Sequence, residues 1–225
     1  MRNIYFTLLV MLLLGCDAYA ANKTPQADKS FHPFSSHLPW SLEVGLGYGK
    51  YQNMLRSDGT TVLARIGIAK QIVRMQAFSA GIEMGVQSGN TARLSVPDSI
   101  ENELGGLPVD STIKPSLDLL LTAKVYPLTK RIFFTQIKAG AISRRWQFTR
   151  GSVNDVSKVN PEIQIGIGYD VNRVASVSLS YQGIFGNNPD FKIVTEDCLA
   201  HVSGIPGENS VILGLSVYLD EGMKT

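Results

Sequence analysis

Residues 41–51 read SLEVGLGYGKY, and apolar side chains alternate with small or polar ones throughout this stretch. Successive side chains of a β-strand point to opposite faces, so an alternation of period two predicts a strand. One face would carry only bulky apolar groups, and the other a carboxylate and three glycines. The two faces are Leu42, Val44, Leu46 and Tyr48 against Glu43, Gly45, Gly47 and Gly49.

The same alternation returns seven times further along the chain. Each segment has roughly ten residues or more, which is the length that a tilted strand needs to cross a bilayer. The pattern therefore predicts an all-β fold with eight antiparallel strands. The predicted strands are 41–51, 61–73, 76–88, 112–126, 131–144, 159–170, 174–185 and 210–219.

The connections between these strands alternate in length. Bacterial membrane barrels with both termini in the periplasm have short periplasmic turns and longer extracellular loops. A soluble up-and-down barrel has no physical reason to keep this rhythm. The predicted long connections are 52–60, 89–111, 145–158 and 186–209, and the short ones are 74–75, 127–130 and 171–173.

The composition of the two strand faces indicates which one is outside. In a soluble, lipocalin-like barrel the apolar face would point inward, whereas in a membrane barrel it contacts lipid. Glycine is unfavourable in strands but fits the narrow interior of an eight-stranded barrel, where side chains compete for room. We therefore expect the glycine face to be enclosed. Its glycines are Gly45, Gly47, Gly49, Gly67, Gly81, Gly85, Gly140, Gly166, Gly168 and Gly214.

Over residues 41–219 this pattern resembles the small OmpA/OmpX-type outer-membrane barrels. The resemblance implies an eight-stranded antiparallel up-and-down transmembrane β-barrel in the outer membrane of a Gram-negative bacterium. It also implies insertion by the outer-membrane assembly machinery and contact with membrane lipid and lipopolysaccharide. Such barrels typically end in an aromatic residue, whereas Leu219 is followed here by a tail, residues 220–225.

The first 40 residues are not expected to belong to the barrel. Residues 1–20 have a basic start, an apolar run and Ala18-Tyr19-Ala20, as a cleavable signal peptide does. An alternative is that Leu13-Leu14-Gly15-Cys16 resembles a lipobox, with Cys16 becoming a lipidated first residue. Residues 21–40 are polar and contain proline, which indicates a flexible periplasmic lead-in. The net charge of +2 gives no reason to expect a nucleic-acid partner.

Charged residues of both signs lie on the face that we expect to be enclosed. Unpaired buried charges are costly, so we predict a network of ion pairs that plugs the lumen. The alternative is a water-filled lumen, which would make the protein a small channel or a transporter for small or hydrophobic solutes. The network would comprise Glu43, Arg65, Glu83, Asp118, Lys124, Lys138 and Glu162.

Three arginines flank the third long loop, namely Arg144, Arg145 and Arg150. They could bind lipopolysaccharide phosphates or an external ligand at the cell surface, because arginine pairs well with phosphate. The leading functional hypothesis is therefore a non-enzymatic barrel with a structural or surface-interaction role, similar to an adhesin.

An enzymatic alternative comes from His201-Val202-Ser203, which resembles the His-x-Ser element of the lipid A deacylase family. Glu208 or Glu196 would orient the histidine base. This element lies in a predicted loop, and Gly204 replaces the family's asparagine.

We expect no metal site, because His32 and His37 lie in the lead-in without a third ligand. We also expect no cofactor, and Cys198 is taken as an incidental loop thiol.

Overall fold

The computed structural model describes residues 40–52, 60–75, 77–94, 98–106, 109–127, 132–172, 174–194 and 199–219. All of them belong to one unit, Pro33–Thr225. Several predicted features lie outside these ranges: the signal peptide, both possible processing sites, all of the lead-in except Trp40, and the tail 220–225. The same holds for four single residues, His32, His37, Glu196 and Cys198.

Twelve β-strands and one short α-helix occur in the described residues. In chain order they are β1 (Trp40–Tyr51), β2 (Thr60–Arg74), β3 (Phe78–Gln87), β4 (Asn90–Leu94), α1 (Asp98–Glu103), β5 (Val109–Ile113), β6 (Ser116–Val125), β7 (Phe133–Phe148), β8 (Val156–Asp170), β9 (Ala175–Ile184), β10 (Phe191–Val194), β11 (Leu199–Val202) and β12 (Glu208–Leu219). Within the described ranges, no α-helix is long and apolar enough to cross a bilayer.

Eight of the strands form a closed antiparallel barrel in the order β1-β2-β3-β6-β7-β8-β9-β12. Each pairs with the barrel strands before and after it in this order, and β1 closes the wall against β12, from Trp40 opposite Leu219 to Tyr51 opposite Glu208. The prediction of an eight-stranded up-and-down barrel is confirmed. We call the end with the connections 75–77, 126–132 and 171–174 the turn end, and the opposite end the loop end.

The loop end differs from the prediction in two ways. β7 and β8 continue past their predicted limits to Phe148 and from Val156, so the third connection is only 149–155. The second and fourth connections contain strands of their own, which are the hairpins β4–β5 and β10–β11. These short strands escaped prediction because a run of four or five residues carries too little alternation.

The apolar face of the barrel strands points outward and the glycine-rich face points inward, as the positions of the glycines predicted. Leu46, Ile66 and Leu215 point away from the axis and are 62%, 59% and 45% exposed. Polar side chains such as Glu83 and Gln182 point inward and are fully buried. At Gly140 a Cβ atom would collide with the backbone of Leu119, so the neighbouring strand approaches too closely for any larger residue.

Three connections at the loop end, those that follow β3, β7 and β9, share one apolar core in their described parts. We call this assembly the cap; it comprises β4, α1, β5, the connection 149–155, and β10 and β11 with residues 203–207. Its interior continues that of the barrel, because inward residues of β1, β7 and β8 contribute to it. The buried core consists of Tyr51, Val109, Ile113, Trp146, Val153, Val156, Ala200, Val202 and Ile205.

Candidate functional site

The centre of the lumen contains a buried arginine, Arg65 on β2. Its Nη1 atom pairs with Glu83 on β3. Its Nη2 and Nε atoms donate to the two carboxylate oxygens of Asp118 on β6, at 2.5 and 2.8 Å. This bidentate geometry suits the planar guanidinium. Gly85 makes it possible, because a Cβ there would occupy the position of the guanidinium.

Lys138 on β7 joins a second set of carboxylates to the first. Its Nζ atom lies 2.5 Å from Glu43 Oε2 on β1 and 2.7 Å from Glu83 Oε2. Glu83 thus bridges Arg65 and Lys138, so one hydrogen-bonded cluster connects five strands across the lumen. Five of the seven residues predicted for the network, Glu43, Arg65, Glu83, Asp118 and Lys138, meet here.

Glu162 on β8 is not in an ion pair in the described structure, contrary to prediction. Its Oε1 atom accepts hydrogen bonds from Gln164 at 2.7 Å and from Gln182 at 2.6 Å. Gln182 also donates to Gln87 on β3 at 2.9 Å, across the lumen. Amide donors replace a cation because Arg65 and Lys138 are already engaged by the other three carboxylates.

Lys124 also lies apart from the predicted ion-pair network. At the turn end its Nζ atom donates to the Tyr218 hydroxyl at 3.1 Å and lies 4.8 Å from the centre of the Phe134 ring. A cavity of about 30 Å³ lies beside it, lined in part by Ser41, Glu43 and Tyr218. This volume could hold only a few water molecules.

Arg144 was predicted to lie at the surface, and this prediction is wrong, because the residue is only 2% exposed. Arg144 ended the predicted strand, but β7 continues to Phe148, so Arg144 lies within the wall and points inward at the mouth of the barrel, on the same face as Lys138. Its Nη1 donates to the carbonyl oxygen of Pro206 at 2.9 Å. Its Nε and Nη2 donate to Asn160 Oδ1 at 3.3 and 3.0 Å.

The other two predicted surface arginines lie at the loop end, Arg145 on β7 and Arg150 in the cap. Arg145 is exposed and pairs with Asp155 at 3.1 Å. Although its slight burial acts in the opposite direction, hydrogen bonds from Arg145 and Gln147 hold the pKa of Asp155 below its usual value. Arg150 is half-buried and donates through Nη1 to the carbonyl oxygen of Leu104, just after α1.

Of the possible hydrolase residues, the structure describes His201, Ser203 and Glu208, and no hydrogen bond joins these three. His201 at the end of β11 and Ser203 just after it are exposed. Glu208 points into the barrel, where its carboxylate lies over Gly49 and is 2% exposed. A catalytic carboxylate must be hydrogen-bonded to its histidine, and an exposed His201 does not meet the enclosed Glu208. The described residues also contain no group of three or more His, Cys, Asp or Glu placed to hold a metal.

Two features of the loop end were not anticipated. Asn154 holds β11 through both ends of its amide: Oδ1 accepts from the Val202 N–H at 2.6 Å, and Nδ2 donates to the Val202 carbonyl at 3.2 Å. Below the cap, Glu162 Oε2 and Glu208 Oε1 are buried without a hydrogen-bond partner among the described atoms. Neither feature has a sequence signal, because both depend on how separate connections meet.

Comparison with known proteins gives similarity only at the level of solved structures. No family model matches the sequence, and no curated protein sequence matches it significantly. Similar structures include Ail, the attachment invasion locus protein of Yersinia pestis (9% identity, 80% of this chain and 97% of that chain, TM-score 0.45). Neisserial surface protein A has 10% identity over 81% of this chain and 97% of that one, with a TM-score of 0.44. Outer membrane protein AlkL has 15% identity over 91% and 99%, with a TM-score of 0.45.

The fold is established by features of the molecule itself. The eight strands close without a free edge, as a membrane-spanning sheet requires. The outer wall is apolar, and the interior is polar and hydrogen-bonded. The chain is therefore an eight-stranded antiparallel β-barrel of the transmembrane type, the architecture of the small outer-membrane barrels that its sequence resembles.

Proposed function

We propose that this protein is a non-enzymatic outer-membrane barrel with a plugged lumen, whose structural or surface-interaction role is carried by its cap. The observation that supports a plugged lumen is the series of hydrogen bonds between opposite walls. Lys138 on β7 reaches Glu43 on β1, and Gln182 on β9 reaches Gln87 on β3. Gln136 on β7 also donates to Ser180 on β9, over the intervening strand β8, at 2.8 Å. These bonds occupy several levels of an interior that is only wide enough for side chains.

The outer surface supports the membrane location. Aliphatic side chains cover the outer wall, with tyrosines and other aromatics toward both ends; Phe133 and Tyr169 make a ring pair at the turn end, with centroids 5.2 Å apart. Such a wall would be insoluble in water but suits a bilayer. In this proposal, residues 1–20 are cleaved on export, the assembly machinery inserts the barrel, and the loop end faces outward.

The cap supports an interaction role, because it presents a preformed surface. Its connections are packed on one apolar core and are joined by hydrogen bonds such as those of Asn154. A preorganised surface loses little conformational entropy when it binds a partner. Arg145, exposed on β7 beside the cap, is a candidate contact for lipopolysaccharide phosphates or an external ligand.

Conductance in planar lipid bilayers tests the plugged lumen directly. We expect the purified full-length protein to give no stable unitary currents. A matched variant, Lys138→Ala, should raise the noise or produce brief openings, because it removes the bridge between Glu43 and Glu83. Stable openings from the unsubstituted protein would contradict the proposal and favour a small channel.

The non-enzymatic assignment is tested on intact cells. The lipid A mass spectrum should be the same with and without expression of the protein, and Ser203→Ala should not alter it. Loss of acyl chains on expression, abolished by Ser203→Ala, would identify a deacylase instead.

The role of the cap is tested by measuring adhesion of the same cells to host-cell monolayers. The control strain carries a shortened tip between β10 and β11.

A further inference from the structure

Residues 204–207, Gly-Ile-Pro-Gly, form a strap over the mouth of the barrel. All four are buried, although they have no regular secondary structure. The Gln52 N–H after β1 donates to the Gly207 carbonyl at 2.7 Å, and Arg144 on β7 donates to Pro206. Gly186, after β9, lies so close that a Cβ atom there would collide with Ile205 and Pro206. The strap therefore touches the ends of three strands around the mouth.

Two side chains hold the strap and the start of the same connection. Arg144 binds the Pro206 carbonyl and also Asn160 Oδ1. Asn160 in turn donates through Nδ2 to the Phe185 carbonyl at 2.9 Å. Because Phe185 begins the fourth connection and Pro206 is near its end, the Arg144–Asn160 pair clamps both limbs of that connection.

Below the clamp lie two buried carboxyl groups that form no ion pair in the described structure. Glu208 on β12 and Glu162 on β8 each have an oxygen without a hydrogen-bond partner in the described structure, and each is almost completely buried. Arg144 acts on both electrostatically without a direct contact, and Tyr51 on β1 also acts on Glu208. Asp118 and Arg65 act on Glu162 from below, but they are paired with each other.

A buried cluster with two carboxylates and one guanidinium would carry an uncompensated negative charge, which is costly away from water. With one proton retained on either carboxyl, the same cluster is neutral. Opening the strap would hydrate both carboxyls and remove this constraint. The closed arrangement therefore binds one proton more than an open one.

We propose that the strap is a pH-sensitive lid, clamped shut by Arg144 while Glu162 and Glu208 share a proton and released when both are ionised. Linkage gives the sign: where the closed state holds one proton more than the open state, raising the pH favours the open state by about tenfold per pH unit, until the closed state has lost that proton too. The ion-pair cluster around Arg65 and Lys138 lies deeper and remains in place. Opening of the lid thus hydrates Glu162 and Glu208 at the loop end without opening a pore, and it is independent of what the cap binds.

Cysteine accessibility tests the lid. Ile205→Cys is placed in full-length protein that also carries Cys16→Ser and Cys198→Ser, and is labelled in lipid vesicles with a membrane-impermeant maleimide. Leu199→Cys, on the exposed face of β11, corrects for the pH dependence of the thiol itself. We expect the ratio of the two labelling rates to rise at least about tenfold from about pH 6 to about pH 9. Glu208→Gln or Glu162→Gln should abolish the rise.

Arg144→Gln should give a high ratio already at the lower pH, because the clamp is lost. The proposal would be overturned if the labelling ratio of the Ile205→Cys protein did not change with pH, or if its rise persisted in both glutamine variants.

Trp146 gives a second measurement that needs no cysteine, because it shares the cap core with Ile205. In Trp40→Phe protein, acrylamide quenching of Trp146 should increase over the same pH range, and unchanged quenching would also contradict the lid. Currents that stay absent at both pH values would separate lid opening from failure of the plug.

Discussion

Arg65 connects two carboxylates at the centre of the lumen, and both partner side chains are completely buried. Removing a cation from such a site leaves buried negative charge without compensation. Lys138 continues to neutralise part of the charge on Glu83, but Asp118 has no second cation in the described network. The effect of substitution should therefore be much larger than the effect of breaking an exposed pair.

We expect Arg65→Met to lower the free energy of unfolding by about 3–5 kcal/mol. The matched control is Arg145→Met, which breaks the exposed pair with Asp155 and should cost about 0–1 kcal/mol. Both values can be measured by urea titration of the barrel in lipid vesicles, followed by tryptophan fluorescence. Equal effects of the two substitutions would show that the lumen is hydrated.

Gly168 lies against the ring of Phe134, and a Cβ atom at this position would overlap the ring. We expect Gly168→Ala to destabilise the barrel by about 1–3 kcal/mol through overpacking. Phe134→Ala should relieve the overlap, so the double variant should be more stable than the sum of the two single effects indicates. The same urea titrations measure this coupling, and strict additivity would contradict the contact.

The β10–β11 hairpin is attached to the connection 149–155 largely through backbone bonds and Asn154. The Asn154 amide binds the N–H and the carbonyl of Val202 as a neighbouring strand would, while Val153 bridges Ala200. This attachment determines whether the fourth connection is part of the cap. The barrel strands do not depend on it.

Asn154→Ala should release the hairpin without unfolding the barrel. A lost pair of partly buried hydrogen bonds costs about 1–3 kcal/mol locally, so limited proteolysis within residues 185–207 should become faster. The urea midpoint of the barrel should stay the same. Asn187→Ala, at an exposed position of the same connection, is the control and should leave proteolysis unchanged; equal cleavage in both variants would argue against the Asn154 attachment.

The assembled barrel depends on one choice of orientation, in which the apolar face contacts lipid. β12 allows a test within a single strand, because Leu213 and Asn209 both point outward. Leu213 lies in the middle of the apolar wall, whereas Asn209 lies at the loop end of the strand.

Leu213→Arg should destabilise the folded barrel in vesicles by about 2–4 kcal/mol, because a charge near the bilayer midplane loses its hydration. Asn209→Arg should cost about 0–1 kcal/mol, since it lies near the interface. The free energies come from folding titrations in lipid vesicles. A negligible effect of Leu213→Arg would mean that this face is in contact with water.

The alternation of Leu42, Val44 and Leu46 with glycines was enough to predict the barrel strands, because pleating places every second residue on the same face. The same logic brought Arg65, Glu83 and Asp118 to the inside, but it gave no information about which charges would pair. Glu162 is bound by two glutamines, and Lys124 by Tyr218, because register and stagger decide which side chains meet across the lumen. Arg144 has the same parity as Lys138 and Gly140, so alternation alone would have placed it inside; it was assigned to the surface only because it ended the predicted strand, whereas β7 continues to Phe148 and pairs with β5.

The order of the residues along the chain thus determined the number of barrel strands, the closed all-β architecture and the face that meets the membrane, because these follow from local periodicity and the hydrophobic effect. The cap, the strap and the partners inside the lumen were decided only in the folded molecule. They depend on contacts between segments far apart in the chain, and neither the pairing partner of a short strand nor the neighbour of a buried charge is encoded in any single stretch.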